Sequence, residues 1–200
     1  MKKSLLALLA AAGVLGCSTA QAQMSVRPNL HVTAVEVFCQ NYQPFVSIAM
    51  PVASADSGRP GLLYVGMHDA GMSQAAFLTS AGWQPYQGGL FPVYSIVKGG
   101  LASTRLVLPL NPNLAGGGWK LYVGYGALSA EAEARVQQAV VATATAKAMN
   151  PKGAIAAVDP DHYRRTLVQT DMTQAGKFGY VDTGVENIPD MCRLDNSGGV

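Results

Sequence analysis

Apolar and polar positions alternate in short bursts along the first two thirds of the chain, and then the period changes. "HVTAVEVFC" (His31–Cys39) is β-branched and loosely alternating, and "PFVSIAMPV" (Pro44–Val52) is a short apolar run. "LLYVGMH" (Leu62–His68), "AAFLT" (Ala75–Thr79), "LFPVYSIV" (Leu90–Val97), "TRLVLPL" (Thr104–Leu110) and "WKLYVGYG" (Trp119–Gly126) follow, with turns such as "DAGMS", "KGG" and "NPNLAGGG" between them. Short segments at intervals of roughly 10–15 residues, split by Gly and Pro, predict an antiparallel β-sandwich. Pro92 and Pro109 interrupt their runs and so belong at edges or bends.

From Ser129 the pattern is helical. "SAEAEARVQQAVVATATAKAMN" is rich in alanine and other good helix formers. Ser129 caps it, Glu131 and Glu133 sit at its positive end, and Asn150-Pro151 stops it. Val136, Ala139, Val140, Thr143 and Lys147 mark one stripe, and the small side chains suit close approach to a sheet. A second helix begins at "DPDHYRRTL". Asp159 caps it, Pro160 takes the first helical position and Gly176 ends it. Tyr163, Leu167 and Thr170 or Asp171 share its buried face in this reading, with Arg164, Arg165 and Gln169 outward. "KFGYVD" (Lys177–Asp182) reads as a final strand.

The ends change the picture. Lys2 and Lys3, the apolar stretch Ser4–Leu15 and "AQA" at Ala20–Ala22 read as a signal peptide over residues 1–22, too short to span a bilayer comfortably. "VLGC" (Val14–Cys17) loosely resembles a lipidation box, which leaves a lipid anchor at Cys17 as the alternative. The expected location is the periplasm or the exterior, or the outer membrane for a lipoprotein. No later apolar run is long enough for a membrane helix. Cleavage leaves Cys39 and Cys192, and an even pair in an oxidising compartment reads as a disulfide. The expected organisation is a sandwich over residues 23–128 and a helical extension with a tail over 129–200.

Charge follows the same division. Residues 23–128 hold 5 basic and 3 acidic side chains, against 7 and 9 in residues 129–200. The sum after cleavage is zero, and Arg164-Arg165 is the nearest approach to a basic cluster, so nothing suggests a nucleic-acid partner. A sheet so poor in charge suggests a surface that meets a partner.

Candidate chemistry is sparse. "DPDH" (Asp159–His162) groups two carboxylates with an imidazole, but a helix cap accounts for them and no metal-ligand spacing supports a metal. His68-Asp69 reads as a strand-end turn, with the metal question reopened only where His68 and His162 converge. "GMSQA" (Gly71–Ala75) falls one residue short of a nucleophile elbow around Ser73. No phosphate loop or other cofactor signature occurs. In "TSAGWQPYQGG" and the strand after it, Trp83, Tyr86, Phe91 and Tyr94 are candidate ligand or partner contacts, because such rings combine apolar area with one polar handle.

"LLYVGMHDAGMSQAAFLTSAGWQPYQGG" together with "WKLYVGYG" resembles a recurrent β-sandwich module of bacterial exported and surface proteins, over about Leu62–Gly126. The resemblance implies an Ig-like fold and a surface or pilus-type setting, with Phe77 and Trp83 packed inward and Tyr86, Phe91 and Tyr94 more exposed. It implies no activity. The leading expectation is a non-enzymatic exported module that docks on another envelope or surface protein. The alternatives are a periplasmic sugar- or peptide-binding module using the loop aromatics, and a serine or metal-dependent hydrolase involving Ser73, or His68, Asp69, Asp161 and His162.

Overall fold

A computed structural model describes residues 27–110, 118–182 and Cys192. The expected export segment, with Cys17, lies outside the described residues. Among the described residues the chain is mainly β with two helices, and the strand pairings are antiparallel. β1 (Thr33–Gln40), β2 (Gln43–Met50) and β7 (Thr104–Pro109) form a three-stranded sheet in the order β1-β2-β7. The larger sheet runs β5-β4-β3-β8-β9, from β5 (Gly82–Pro85), β4 (Ala75–Thr79), β3 (Gly61–His68), β8 (Lys120–Ala127) and β9 (Phe178–Asp182). β6 (Ser95–Val97) pairs with the start of β3, where β4 does not reach. Pro109 stands at the end of β7, which lies at an edge of its sheet beside β2 among the described residues, so its missing N–H disturbs no central ladder.

Alternation decides what each sheet buries. Val46, Ile48 and Met50 of β2 and Leu106 and Leu108 of β7 share one core with Leu63, Val65 and Met67 of β3 and Leu121, Val123 and Tyr125 of β8. The opposite face of β3 and β8 carries Leu62, Tyr64, Gly124 and Gly126, and it is covered by a helix. α1 (Ala130–Met149) and α2 (Pro160–Ala175) begin at the expected caps. The Ser129 hydroxyl accepts from the Ala132 amide, and the Asp159 carboxylate accepts from the amides of Asp161 and His162. Gly176 ends α2 with φ 64°, a backbone that glycine adopts without strain.

The glycines of "YVGYG" seat α2. A methyl group at Gly126 would collide with the Val168 carbonyl, and one at Gly124 would crowd Met172 and Phe178. α2 therefore lies directly on β8, with Val168 and Met172 buried against Leu62 and Tyr64. Its polar residues do not look outward as the helical spacing suggests. Arg164 donates to Glu133 of α1, at 2.6 and 2.7 Å. Arg165 donates to the Phe91 carbonyl, and the Gln169 side-chain oxygen accepts from the Phe91 amide at 2.7 Å. The helix lies flat enough for its flanks to bind neighbouring backbone. α1 packs on α2 rather than on a sheet. Val136 is fully buried there, whereas Val141 is 63% exposed and Met149 82%.

Three further expectations change. Only Ser95–Val97 of the run Leu90–Val97 is a strand, because α2 holds Phe91 and Pro92 gives no amide to a ladder. Gly82–Pro85, which has no alternation of its own, pairs with β4 as a strand. Phe77 does not pack inward. Ala76 and Leu78 take the buried positions of β4, which turns Phe77 to the other face, while Tyr94 packs against the core instead of standing exposed.

Cys39 and Cys192 are joined as a disulfide, with Cα atoms 5.6 Å apart at a sequence separation of 153. A buried polar knot ties α2 to the loop before β3. Lys177 Nζ lies 2.8 Å from Asp56 and 2.8 Å from Asp171, and the Tyr125 hydroxyl donates to Asp56 at 3.2 Å. Among the described residues, no helix is long and apolar enough to cross a membrane.

Candidate functional site

α2 covers only part of the outer face of the large sheet. Its last turn leaves the sheet near Met172, and Gly176 turns the chain back into β9. Beyond that point no helix among the described residues lies over the outward side chains of β3, β4 and β8, and they enclose a groove of about 480 Å³. Gly66 forms its floor, where a methyl group would come within 3.0 Å of the Phe77 ring. Phe77, Phe91 and Tyr64 line one side, and Tyr122 and Phe178 the other. Met172 and Thr173 close the helix end, and Met72 forms a lip at 76% exposure.

The aromatic wall is a packed cluster. Phe77 and Phe91 stack with centroids 4.9 Å apart, and Tyr86 meets both edge-on at 5.2 and 5.5 Å. Such arrangements satisfy the ring quadrupoles and hold the wall in shape without a ligand. Phe91 is fixed further by Gln169 and Arg165 of α2, which clamp its backbone on both sides. Tyr86 is fixed by its hydroxyl, which donates to the Gly89 carbonyl at 2.7 Å. Burial raises the Tyr64 phenol to about 12, against a lowering influence from Arg165.

The polar handle of the groove is a histidine–tyrosine couple. Gly66 pairs directly with Tyr122 across β3 and β8, so the phenol leans over the glycine toward His68. His68 Nδ1 lies 2.7 Å from the Asp69 carbonyl oxygen, and Nε2 lies 2.7 Å from the Tyr122 hydroxyl. A carbonyl only accepts, so in the neutral ring Nδ1 carries the proton and Nε2 accepts from the phenol. Burial raises the Tyr122 phenol, and Tyr180 and Asp182 raise it further, so the group stays protonated.

The neighbouring loop is built by Asp69. Its carboxylate accepts from the amides of Ser73 and Gln74 at 2.7 and 2.9 Å and from the Ser73 hydroxyl at 2.5 Å. Those bonds, the Gln74 amide first, hold the carboxyl below its usual range. Met72 takes φ 54° at the tip and projects over the groove. Ser73 thus bonds to Asp69, while the imidazole faces Tyr122. His68 lines the groove together with Met172 of the last turn of α2, whereas His162 lies in the first turn, ten residues or about 15 Å from Met172 along the helix axis, and does not line the groove. Among the described residues, no three His, Cys, Asp or Glu side chains converge as a metal site.

The four aromatics singled out from the sequence do not share one site. Phe91 lines the groove, and Tyr86 buttresses it. Trp83 faces a second hollow of about 380 Å³, and its Nε1 donates to the Pro109 carbonyl at 3.0 Å, linking β5 to the small sheet. Tyr94 is partly buried against the core. Sequence reasoning missed Tyr122, Phe178 and the outward turn of Phe77. The signal for them is the strict alternation of "YVGMH", "AAFLT" and "KLYVGYG", which converges only once the β3–β8 register is known.

Comparison of the chain with protein-family models, with curated proteins and with solved structures finds no match.

Proposed function

We propose that the chain is an exported, non-enzymatic binding module, an Ig-like sandwich that takes up an apolar guest in the aromatic groove. One observation carries this reading: a preformed concavity of about 480 Å³ lined by five aromatic rings, with a single hydrogen-bonded couple set into it. That combination of size, apolar lining and few polar groups is the usual form of a small-ligand site. A sugar would need many more hydrogen-bond partners than His68, Tyr122 and Thr173 offer. A binding role is also favoured over hydrolysis by the pairing of Ser73 with Asp69, which leaves its hydroxyl without an imidazole base.

Export rests on the leading segment of residues 1–22 and on the disulfide, a bond that persists in oxidising compartments. Docking on another envelope protein is the second reading. The stacked Phe38–Phe45 pair and the half-exposed Val107 on the small sheet favour it.

The test is an NMR titration of the purified mature protein with indole, following backbone amides. Shifts concentrated at Gly66, His68, Phe77, Phe91 and Tyr122 support the groove, and Gly66→Leu, which fills the floor, abolishes them. Phe91→Ser, which removes one wall ring, serves as the second variant, with thermal melting as the check on folding. Shifts scattered over the surface, or none, would refute the reading.

A further inference from the structure

The hydrogen-bond polarity of the couple has a consequence for what the groove selects. The Asp69 carbonyl accepts from His68 Nδ1, and it also accepts from the Met72 amide at 3.0 Å. Both contacts come from a loop that is itself fixed by the Asp69 carboxylate, so the imidazole is held in one tautomer. Nε2 then offers a lone pair, and the Tyr122 hydroxyl fills it at 2.7 Å. The phenol has one proton, and that proton is committed. What Tyr122 presents to the groove is the remaining lone-pair capacity of its oxygen.

Resting on the binding role proposed above, we infer that the groove selects uncharged, flat apolar ligands that end in a hydrogen-bond donor, a hydroxyl or a ring N–H. The ring walls supply apolar surface against which a flat ring packs. A donor reaching Tyr122 completes the chain from ligand to phenol to imidazole to carbonyl without disturbing any existing bond. An acceptor of the same shape has no proton to meet. It must either stay unpaired against the phenol oxygen or draw the phenol proton away, which strands Nε2 in a half-covered site. His68 acts here through Tyr122 and is a positioning residue, whereas Tyr122 would touch the ligand.

The experiment compares two probes of nearly equal size and shape, indole, which has a ring N–H, and benzofuran, which has a ring oxygen. Affinities are measured by calorimetry on the disulfide-intact protein. Indole is expected to bind about tenfold more tightly. In Tyr122→Phe the difference should vanish, because the acceptor is gone while the ring wall remains. In His68→Leu the phenol proton is released to donate, so the preference should shrink or reverse toward benzofuran. Equal affinity of the two probes for the wild-type protein overturns the selection rule and leaves the groove standing. Failure of both to bind removes the groove reading itself. A tenfold preference that survives Tyr122→Phe overturns the assignment of Tyr122. Should that variant not fold, the wild-type pair and His68→Leu still decide.

Discussion

The seat of α2 on β8 gives the sharpest stability test. Gly126→Ala adds one methyl group to the face of β8 on which the helix rests. The added carbon would meet the Val168 carbonyl, its carbon and its Cγ1, and two of those atoms are helix backbone that no rotamer change moves aside. The helix and sheet must part by about 1 Å, which forfeits a quarter to a half of the attraction of each contact along the seam. Overpacking of this kind costs about 1–3 kcal/mol, and the backbone obstacle places it at the upper end. Alanine returns about 0.5 kcal/mol by restricting the unfolded chain, so the net loss is about 2.5 kcal/mol. For a domain of this size that is a fall in Tm of about 5–10 °C. Gly99→Ala is the control, since a methyl there meets nothing within 4 Å. Urea and thermal unfolding of both variants, followed by circular dichroism, decide the matter. Equal stability of the two would show that α2 does not rest on Gly126, and the account of how Phe91 and Met172 are positioned would fall with it.

Lys177→Met strands Asp56, which is 4% exposed and keeps only Tyr125 and a more distant Arg59, so a loss of about 3 kcal/mol is expected at neutral pH. Burial lowers the Lys177 pKa, but the hydrogen bonds and charges of Asp171 and Asp56 outweigh it, and the net shift is upward. A raised lysine stabilises fully below its unfolded value of about 10.4 and loses that contribution above it. The wild-type advantage in urea midpoint should therefore hold from pH 6 to about 10 and shrink beyond; a flat profile to pH 12 would count against the linkage. Reduction of Cys39–Cys192 should lower stability by up to about 5 kcal/mol, the chain-entropy limit for a sequence separation of 153, while free thiols in the purified protein would dismiss the bond. Hydrogen bonds from Arg164, and then from Gln137, lower Glu133 to about 2, so its contribution is present above about pH 4.3 and fades as the pH falls toward 2. The site is solvated, which limits the effect to about 0.5–1 kcal/mol. Glu133→Gln should speed amide exchange in α1 and leave β3 and β8 protected, with unchanged exchange in α1 as the contrary result.

Much of the secondary structure was legible because its signals are local. The caps Ser129, Asp159 and Gly176 act on backbone groups within four residues of themselves; both helices begin where the first two stand, and α2 ends where the third stands. Leu62–His68 and Ala75–Thr79 are apolar runs fenced by turns, and their bounds moved by one residue or none. What failed depended on distant partners. Gly82–Pro85 has no alternation of its own and becomes a strand only by pairing with Ala76–Thr79. Leu90–Val97 has the composition of a strand, but its first half is held by Gln169 and Arg165, more than seventy residues away. The outward polar face expected for α2 failed for the same reason, since its polar residues bind backbone and α1 rather than water.

The scarcity of charge in the first part of the chain takes on a different meaning once cover is assigned strand by strand. β3 is buried from Gly61 to Met67 because the small sheet packs on one of its faces and α2, Phe91 and Val93 on the other. A strand covered on both faces needs no charge, whether or not the protein has a partner. Low charge therefore does not by itself mark the sheet as a docking surface. The discriminating feature is where double cover stops. At His68 burial gives way to partial exposure, and at Tyr122 and Phe77 the side chains are still large and aromatic although, among the described residues, no helix lies over them. A solvated sheet face would place small polar or charged residues there. Keeping rings and methionines at that boundary costs solubility and gains nothing for the core, which is already closed on the opposite face. The groove, and not the sheet as a whole, is the surface on which the proposed binding role rests.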